Sequence, residues 1–332
     1  MKLAVLGAGA WGTAISIRLA ARHTATLWVR DAQAADQLAA TRSNQRYLPG
    51  FTIPDAIKIT AALAFAIEGC DLILLATTTA GLRPTLRQLT AAGNATPVVW
   101  LCKGLEAESA QLPHQIAASE LPTTLSRAVL SGPSFASEVA RGLPAALTLA
   151  SHDPDFASHV ARELHDHALR LYSSDDIIGV EIAGAVKNVM AIASGICDGL
   201  GLGYNARAAL ITRGLAEITR LGLKLGGRLE TFMGLAGAGD LILTCTGDLS
   251  RNRTVGLKLT QGLPLAQVLC ELGHVAEGVY TAREINRIAR GLGIEMPITR
   301  AVCRVMDENI PARDAVQELL QRDPKPEHRR EG

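Results

Sequence analysis

Along the chain, short unbroken apolar runs alternate with longer stretches in which apolar residues recur every three or four positions. Runs at 2–6, 25–29, 72–76, 98–101, 128–130 and 145–149 read as buried strands, because apolar segments of that length bounded by turn residues suit a sheet covered on both faces. Helical patterns at 11–21, 61–67, 82–91, 111–118 and 133–141 lie between most of them. A helix at 154–166 and a strand at 169–172 close the series. Strand and helix in alternation predict an α/β unit, an open and mostly parallel doubly wound sheet with helices on both faces.

After about residue 178 the strand signal stops. Patterns at 180–200, 205–225, 229–235, 254–261, 265–272, 279–291, 299–308 and 312–320 are helical and separated by short Gly- or Pro-containing turns. They predict an all-α C-terminal domain. The expected division is 1–178, 179–321 and a charged tail at 322–332, whose two prolines predict disorder.

Composition sharpens this picture. Hydrophobic residues make up 48%, charged residues 20% and aromatics 4% of 332 residues, the balance of a globular protein with an aliphatic core and Ala-rich helices. A net charge of +1 gives no field that points to nucleic acid or an anionic membrane. The apolar run at 71–77 is strand length, too short for a bilayer. The apolar start runs into a Gly-rich turn with no cleavage pattern. A soluble, cytoplasmic protein without stable membrane insertion is expected. Cysteines 70, 102, 197, 245, 270 and 303 stand singly, as reduced thiols do, and offer no metal motif. His165 and His167 lie two apart at the end of a predicted helix, which puts them on different faces. No metal is expected.

The turn after the first run is Gly7-Ala-Gly9-Ala-Trp-Gly12, a GxGxxG between a strand and a helix. There the first Gly allows the tight turn, the second lets a pyrophosphate approach the backbone, and the third lets helix pack on strand. The first domain is therefore Rossmann-like and dinucleotide-binding. The second strand ends in Arg30-Asp31. An acid at that spacing suits the ribose of NAD, and an Arg suits the 2′-phosphate of NADP, so NAD(H), NADP(H) or both are expected, tilted towards NADP(H). A solvated loop charge remains the alternative for Arg30.

Downstream, Gly237–Arg253 gathers Asp240, Ser250, Arg251 and Asn252. Carboxylate, hydroxyl, guanidinium and amide together suit a small, hydroxylated, anionic substrate, although a polar loop capping the next helix would use the same residues. Lys103-Gly104 and Ser131-Gly-Pro-Ser134-Phe-Ala136 end two strands at the edge where doubly wound folds place ligands. Glu181-Ile-Ala-Gly-Ala-Val-Lys187-Asn188 sets a Lys-Asn pair in an apolar helix. An amine there needs partners, because its flanks leave it no route to solvent.

With these motifs together, the chain resembles the bacterial-type NAD(P)-dependent glycerol-3-phosphate dehydrogenase family over nearly its whole length. Carrying the resemblance are Gly7–Ala14, Asn44-Gln-Arg-Tyr-Leu-Pro49, Lys103-Gly104, Ser131–Ala136, Gly184–Val189, Thr212–Glu217, Gly237–Asn252, Glu277-Gly278 and Glu295-Met-Pro297. It implies interconversion of sn-glycerol 3-phosphate and dihydroxyacetone phosphate, in the cytoplasm, feeding glycerophospholipid synthesis. It implies Lys187 as the catalytic proton acceptor in oxidation and donor in reduction. The implied substrate shell is Lys103, Gly132, Ser134, Lys187, Asp240, Ser250, Arg251 and Asn252. The implied cofactor shell adds Ala10, Trp11, Arg30, Tyr47, Lys103, Ala136, Arg251, Val275 and Glu277 to Gly7, Gly9 and Gly12. Relatives often carry Ser at position 10, where Ala10 offers only its backbone N–H. A homodimer is an open expectation. The rival enzyme class is a β-hydroxyacid or 6-phosphogluconate-type dehydrogenase, which shares the Lys-Asn pair; the rival non-enzyme is a nucleotide-sensing module. The Ser250–Asn252 cluster disfavours the former, and Lys187, Asp240 and Arg251 together disfavour the latter.

Overall fold

In the computed structural model, residues 1–273 and 276–322 are described, so Val275 and nearly all of the expected tail lie outside the described residues. Among them, β1 (Lys2–Leu6), β2 (Thr24–Trp28), β3 (Lys58–Thr60), β4 (Leu72–Leu75), β5 (Val98–Trp100), β6 (Arg127–Ser131), β7 (Ala145–Ala150) and β8 (Leu169–Ser174) form one sheet. The order is β3-β2-β1-β4-β5-β6-β7-β8, and every pairing is parallel except β6 with β7. Residues along each strand alternate between two cores. Leu3 and Val5 pack on one face of the sheet, Ala4 and Leu6 on the other. Covering both faces is what makes the strands read as unbroken apolar runs.

The sheet is flanked by α1 (Ala10–Leu19), α2 (Ala32–Thr41), α3 (Leu63–Ile67), α4 (Thr79–Ala91), α5 (Pro113–Glu120), α6 (Ala136–Ala140) and α7 (Pro154–Leu164). From Ile177 onward the described elements are helical: α8 (Ile177–Gly199), α9 (Gly203–Lys224), α10 (Leu229–Met233), a π-helical turn at Leu235–Gly239, α11 (Asp240–Thr246), α12 (Arg251–Leu259), α13 (Leu265–Leu272), α14 (Glu277–Gly291), α15 (Pro297–Asp307) and α16 (Ala312–Leu320). The doubly wound sheet followed by an all-helical half is thus as the sequence predicts.

Three local differences have physical causes. Helix α2 and strand β3 carry almost no apolar pattern: α2 buries only Ala35 and Leu38, and β3 is a three-residue edge strand. Helix α7 ends at Leu164, so His165 is its C-cap and His167 lies beyond it; neither sits within the helix as expected. The 237–253 segment is mostly helical rather than loop, because the π turn and α11 fill it.

Helix α8 is the axis of the second half. It is long and apolar enough to cross a membrane, a stretch the sequence reading did not single out, yet 94% of its apolar window is buried inside the protein. Helix α12 crosses it closely. A Cβ on Gly195 would sit 2.0 Å from the Arg253 carbonyl, and one on Gly256 would sit 2.0 Å from the Ile192 carbonyl. Small residues at this crossing bring the start of α12, with Arg251 and Asn252, beside the middle of α8, with Lys187.

Candidate functional site

A cleft of about 1380 Å³ runs over the C-terminal edge of the sheet and reaches the helical half. The strand order reverses at β1, with β2 on one side and β4 on the other, and such a reversal opens a crevice for ligands. Leu6, Trp28, Leu75 and Trp100 pair across the sheet at this edge, so the loops that follow them share the cleft.

The turn after β1 is shaped by its glycines. Gly7 has φ +117°, and a Cβ there would lie 2.7 Å from the Ala76 carbonyl oxygen. On Gly12 a Cβ would lie 1.9 Å from the Gly7 carbonyl oxygen, whereas on Gly9 it would meet nothing within 4 Å. Two glycines hold the turn and the third opens onto the cleft. Asn44 braces the turn by donating to the Ala8 carbonyl at 2.9 Å and to Thr13 Oγ1 at 2.8 Å. Ala10 and Trp11 begin α1 and line the cleft.

Further along, Arg30, Asp31, Arg46 and Tyr47 line the same end. The Asp31 carboxylate accepts from the Ala34 backbone N–H at 2.7 Å as the N-cap of α2, so one of its oxygens is already engaged. Arg30 is exposed and makes no hydrogen bond or ion pair with the described residues. Arg46, which the sequence reading passed over, stacks on the Tyr47 ring at 5.1 Å. Thr77 follows β4 into the cleft with a buried hydroxyl that has no partner among the described residues.

At the other end, three charges meet. Asp240 is 1% exposed. Its Oδ2 accepts from Lys103 Nζ at 2.6 Å, and its Oδ1 accepts from Lys187 Nζ. Lys103 also donates to the Gly132 carbonyl at 3.1 Å, and Lys187 to Thr244 Oγ1 at 3.0 Å. Thr244 in turn donates to the Asp240 carbonyl at 2.6 Å. Two ammonium groups thus share one buried carboxylate. The Lys187 pKa is brought down to about 8, chiefly by burial, with Asp240 holding it up and Lys103 pressing it down. A buried amine poised there can both hold and release a proton near neutral pH.

The π turn explains how Asp240 reaches this place. A Cβ on Gly237 would sit 2.1 Å from the Phe232 carbonyl, so the chain can fold tightly under α10 and present Asp240 at the start of α11. Such turns recur at functional sites.

Other sequence-derived candidates spread around these two ends. Ser134, Asn188, Arg251 and Asn252 line the cleft with Lys103 and Lys187. The Ser134 hydroxyl donates to the Gly132 carbonyl at 3.0 Å. Ser250 is buried and caps α12 by accepting from the Arg253 N–H at 3.3 Å, away from the cleft lining. Asn252 Oδ1 accepts from the Gly278 N–H at 3.1 Å. Glu277 accepts from the Thr79 N–H at 3.4 Å; burial raises its pKa, and Arg251 nearby opposes that rise. Ala136 starts α6, outside the cleft lining. Arg251 is exposed and makes no hydrogen bond or ion pair with the described residues. Thr244 and Asn44 carry bonds that the sequence could not announce, since each depends on a partner far along the chain. Among the described residues, no three His, Cys, Asp or Glu side chains gather as a metal-holding group.

The chain matches two family descriptions: NAD-dependent glycerol-3-phosphate dehydrogenase N-terminus over residues 2–157, and C-terminus over residues 176–317. It is 58% identical over 327 residues to a glycerol-3-phosphate dehydrogenase (NAD(P)+) of Dechloromonas aromatica, covering 98% of this chain and 99% of that one. It is also 58% identical to the protein of that name from Nitrosospira multiformis, with 98% and 99% covered. Among solved structures, a glycerol-3-phosphate dehydrogenase from Coxiella burnetii superposes with a TM-score of 0.92 at 42% identity, covering 97% of this chain and 99% of the other.

Proposed function

Because the chain belongs to the NAD-dependent glycerol-3-phosphate dehydrogenase family, we propose that it interconverts sn-glycerol 3-phosphate and dihydroxyacetone phosphate with NAD(H) or NADP(H), and so supplies glycerol 3-phosphate for glycerophospholipid synthesis. The observation that carries this reading is the Lys187–Asp240–Lys103 cluster at one end of a cleft whose other end is the Gly7–Gly12 turn.

The residues present suit a dinucleotide. Gly9 leaves space where a side chain would stand, Thr77 offers a hydroxyl with no partner among the described residues, and no side chain caps the first turn of α1, whose N–H groups can meet a pyrophosphate. Gly7, Gly9, Ala10, Trp11 and Gly12 would hold the phosphates. Arg30 and Tyr47 would hold the adenosine side, and Lys103, Arg251 and Glu277, which line the other end of the cleft, the nicotinamide side; Ala136 lies outside the lining. The tilt towards NADP(H) is supported by two arginines, Arg30 and Arg46, that line the same end of the cleft as an acid whose carboxylate caps α2. When bound, the nicotinamide ring gives or takes the hydride.

The chain's own residues do the rest. Lys187 Nζ gives its proton to the former carbonyl oxygen during reduction, and takes it from the hydroxyl during oxidation. In both directions it keeps N–H groups for Asp240 and Thr244. Arg251 grips the substrate phosphate with its planar fork, and Lys103, Ser134 and Asn252 complete the shell within the cleft; Gly132 acts through the carbonyl that Lys103 and Ser134 bond, and Ser250 acts through its cap on α12. In this reading residues 1–178 bind the cofactor and 179–321 hold the substrate and carry the catalysis. The reading also takes the protein as cytoplasmic, with a small-molecule substrate and no nucleic-acid or membrane partner, and leaves a homodimer open. Initial rates of dihydroxyacetone phosphate reduction with NADH and with NADPH test it; no turnover with either cofactor would sink it.

A further inference from the structure

Six residues before Lys187 on α8, Glu181 is 4% exposed and takes no part in the chemistry above. Its Oε1 accepts from Trp100 Nε1 at 2.8 Å and from the His114 backbone N–H at 2.9 Å, and its Oε2 lies 2.5 Å from His114 Nδ1. Three elements therefore meet on one side chain: β5 through Trp100, the first turn of α5 through His114, and α8 itself. The carboxylate also stands at the N-terminus of α5, where a negative charge is favoured. Burial raises its pKa, and the bonds from His114 and Trp100 pull the other way. Well-packed apolar residues could join these elements with equal stability, so a buried acid is weak evidence for stability alone.

What the acid adds is a fixed orientation. Gly184 lies one turn further along α8, and residues three apart share a helix face. A Cβ on Gly184 would sit 3.0 Å from Ser131 Oγ and 3.5 Å from Lys103 Cγ. The face that bonds Trp100 therefore also carries the stem of Lys103, which leaves β5 three residues after Trp100. Any rotation or slide of α8 against β5 would shift Lys187 relative to Lys103, and both reach oxygens of the same Asp240.

We propose that Glu181 is a positioning residue for the two lysines, locking α8 onto β5 and α5 so that Lys187 and Lys103 meet on Asp240. The inference rests on the functional reading above and adds a residue to it. Glu181→Gln keeps the volume and one acceptor oxygen but removes the charge and the second acceptor, the one that meets His114 Nδ1. The expected kcat for dihydroxyacetone phosphate reduction falls about ten- to a hundredfold, the scale of a small misplacement of reacting groups. The Michaelis constant for the reduced cofactor changes less than about twofold, because the Gly7–Gly12 end is untouched. The limb of kcat/KM near pH 8 moves to lower pH, because a loosened Asp240 contact no longer raises Lys187.

If Glu181→Gln lowers the melting temperature while kcat stays within about twofold of wild type and the limb stays in place, Glu181 is only a structural tie and the inference is overturned. Should that variant fail to fold, His114→Gln keeps the Trp100 and backbone bonds and reads the same quantities. An expected kcat loss of about three- to tenfold with the same limb movement supports the inference, and unchanged values overturn it. A wild-type protein inactive with dihydroxyacetone phosphate would instead bring down the functional reading itself.

Discussion

At the Gly7–Gly12 end the cleft is walled by backbone, and its specificity comes from what is missing: no Cβ at Gly9, and room at Gly7 and Gly12 for close approach. At the Lys187 end it is walled by charges that α8, α11 and the segment after β5 bring together, with Asp240 between two ammonium groups. Backbone shape can be set within six consecutive residues. A buried ion cluster must be assembled from residues 53 and 137 positions apart, and each member is costly to bury without the others. The first end should therefore fail by losing affinity, and the second by losing rate.

Lys187→Met breaks the charged end most severely. Turnover is expected to fall about 10²- to 10⁴-fold, the usual contribution of a positioned proton-transfer group, while cofactor affinity measured by fluorescence titration stays near wild type. The pH dependence follows from the Lys187 pKa near 8. Reduction needs the ammonium form, so its kcat/KM is lost as pH rises through about 8; oxidation needs the amine, so its kcat/KM grows through the same value. Both limbs should vanish in Lys187→Met. A variant that kept more than about a tenth of wild-type turnover would remove Lys187 from the proton path.

Arg251→Lys acts at the same end but on binding. The charge remains and the bidentate fork is lost. One charge-assisted hydrogen bond contributes about 1.5–3 kcal/mol, so kcat/KM for dihydroxyacetone phosphate should fall about ten- to a hundredfold. Unphosphorylated dihydroxyacetone, with nothing for the fork to grip, should lose far less. Equal losses for the two substrates would show that Arg251 does not hold the phosphate.

The same contrast governs what the sequence discloses. The glycine turn could be read directly, because each of its three glycines answers a local steric demand. The strands could be read because both faces of the sheet are covered. Lys187 stood out as an amine among aliphatic neighbours, but its partners did not: nothing in Asp240, Thr244 or Lys103 taken singly says that they converge. Glu181 was visible only as one letter of a motif, since its role depends on Trp100 and His114 across two other elements. Helix α2 went unread because two buried residues make no period, and the π turn because its glycines looked like loop.

Within the backbone end, Gly9→Ala and Gly12→Ala should part company. At Gly9 the new methyl meets nothing in the protein, so the melting temperature of the free protein should hold while cofactor affinity drops about tenfold, equal to about 1.4 kcal/mol. At Gly12 the methyl would collide with the Gly7 carbonyl 1.9 Å away, so the fold itself should weaken. Calorimetry on both variants, with and without cofactor, separates the outcomes. A Gly9→Ala protein that bound cofactor normally would mean that no pyrophosphate approaches this turn.

The smallest effect is expected from Arg30→Ala. Arg30 is exposed and unpaired among the described residues, and an exposed ion pair contributes only about 0.2–1 kcal/mol after solvent and salt screening. Arg46, on the same rim of the cleft, would still offer a positive charge to a 2′-phosphate. Loss of Arg30 should therefore raise the dissociation constant for NADPH by no more than about two- to fivefold, and less at high salt. NADH carries no 2′-phosphate and should be unaffected. Titrating both cofactors into wild type and variant at low and high salt measures this directly. Equal weakening of the two would make Arg30 a general adenosine contact, and the tilt towards NADP(H) would then have to rest on Arg46 or be given up.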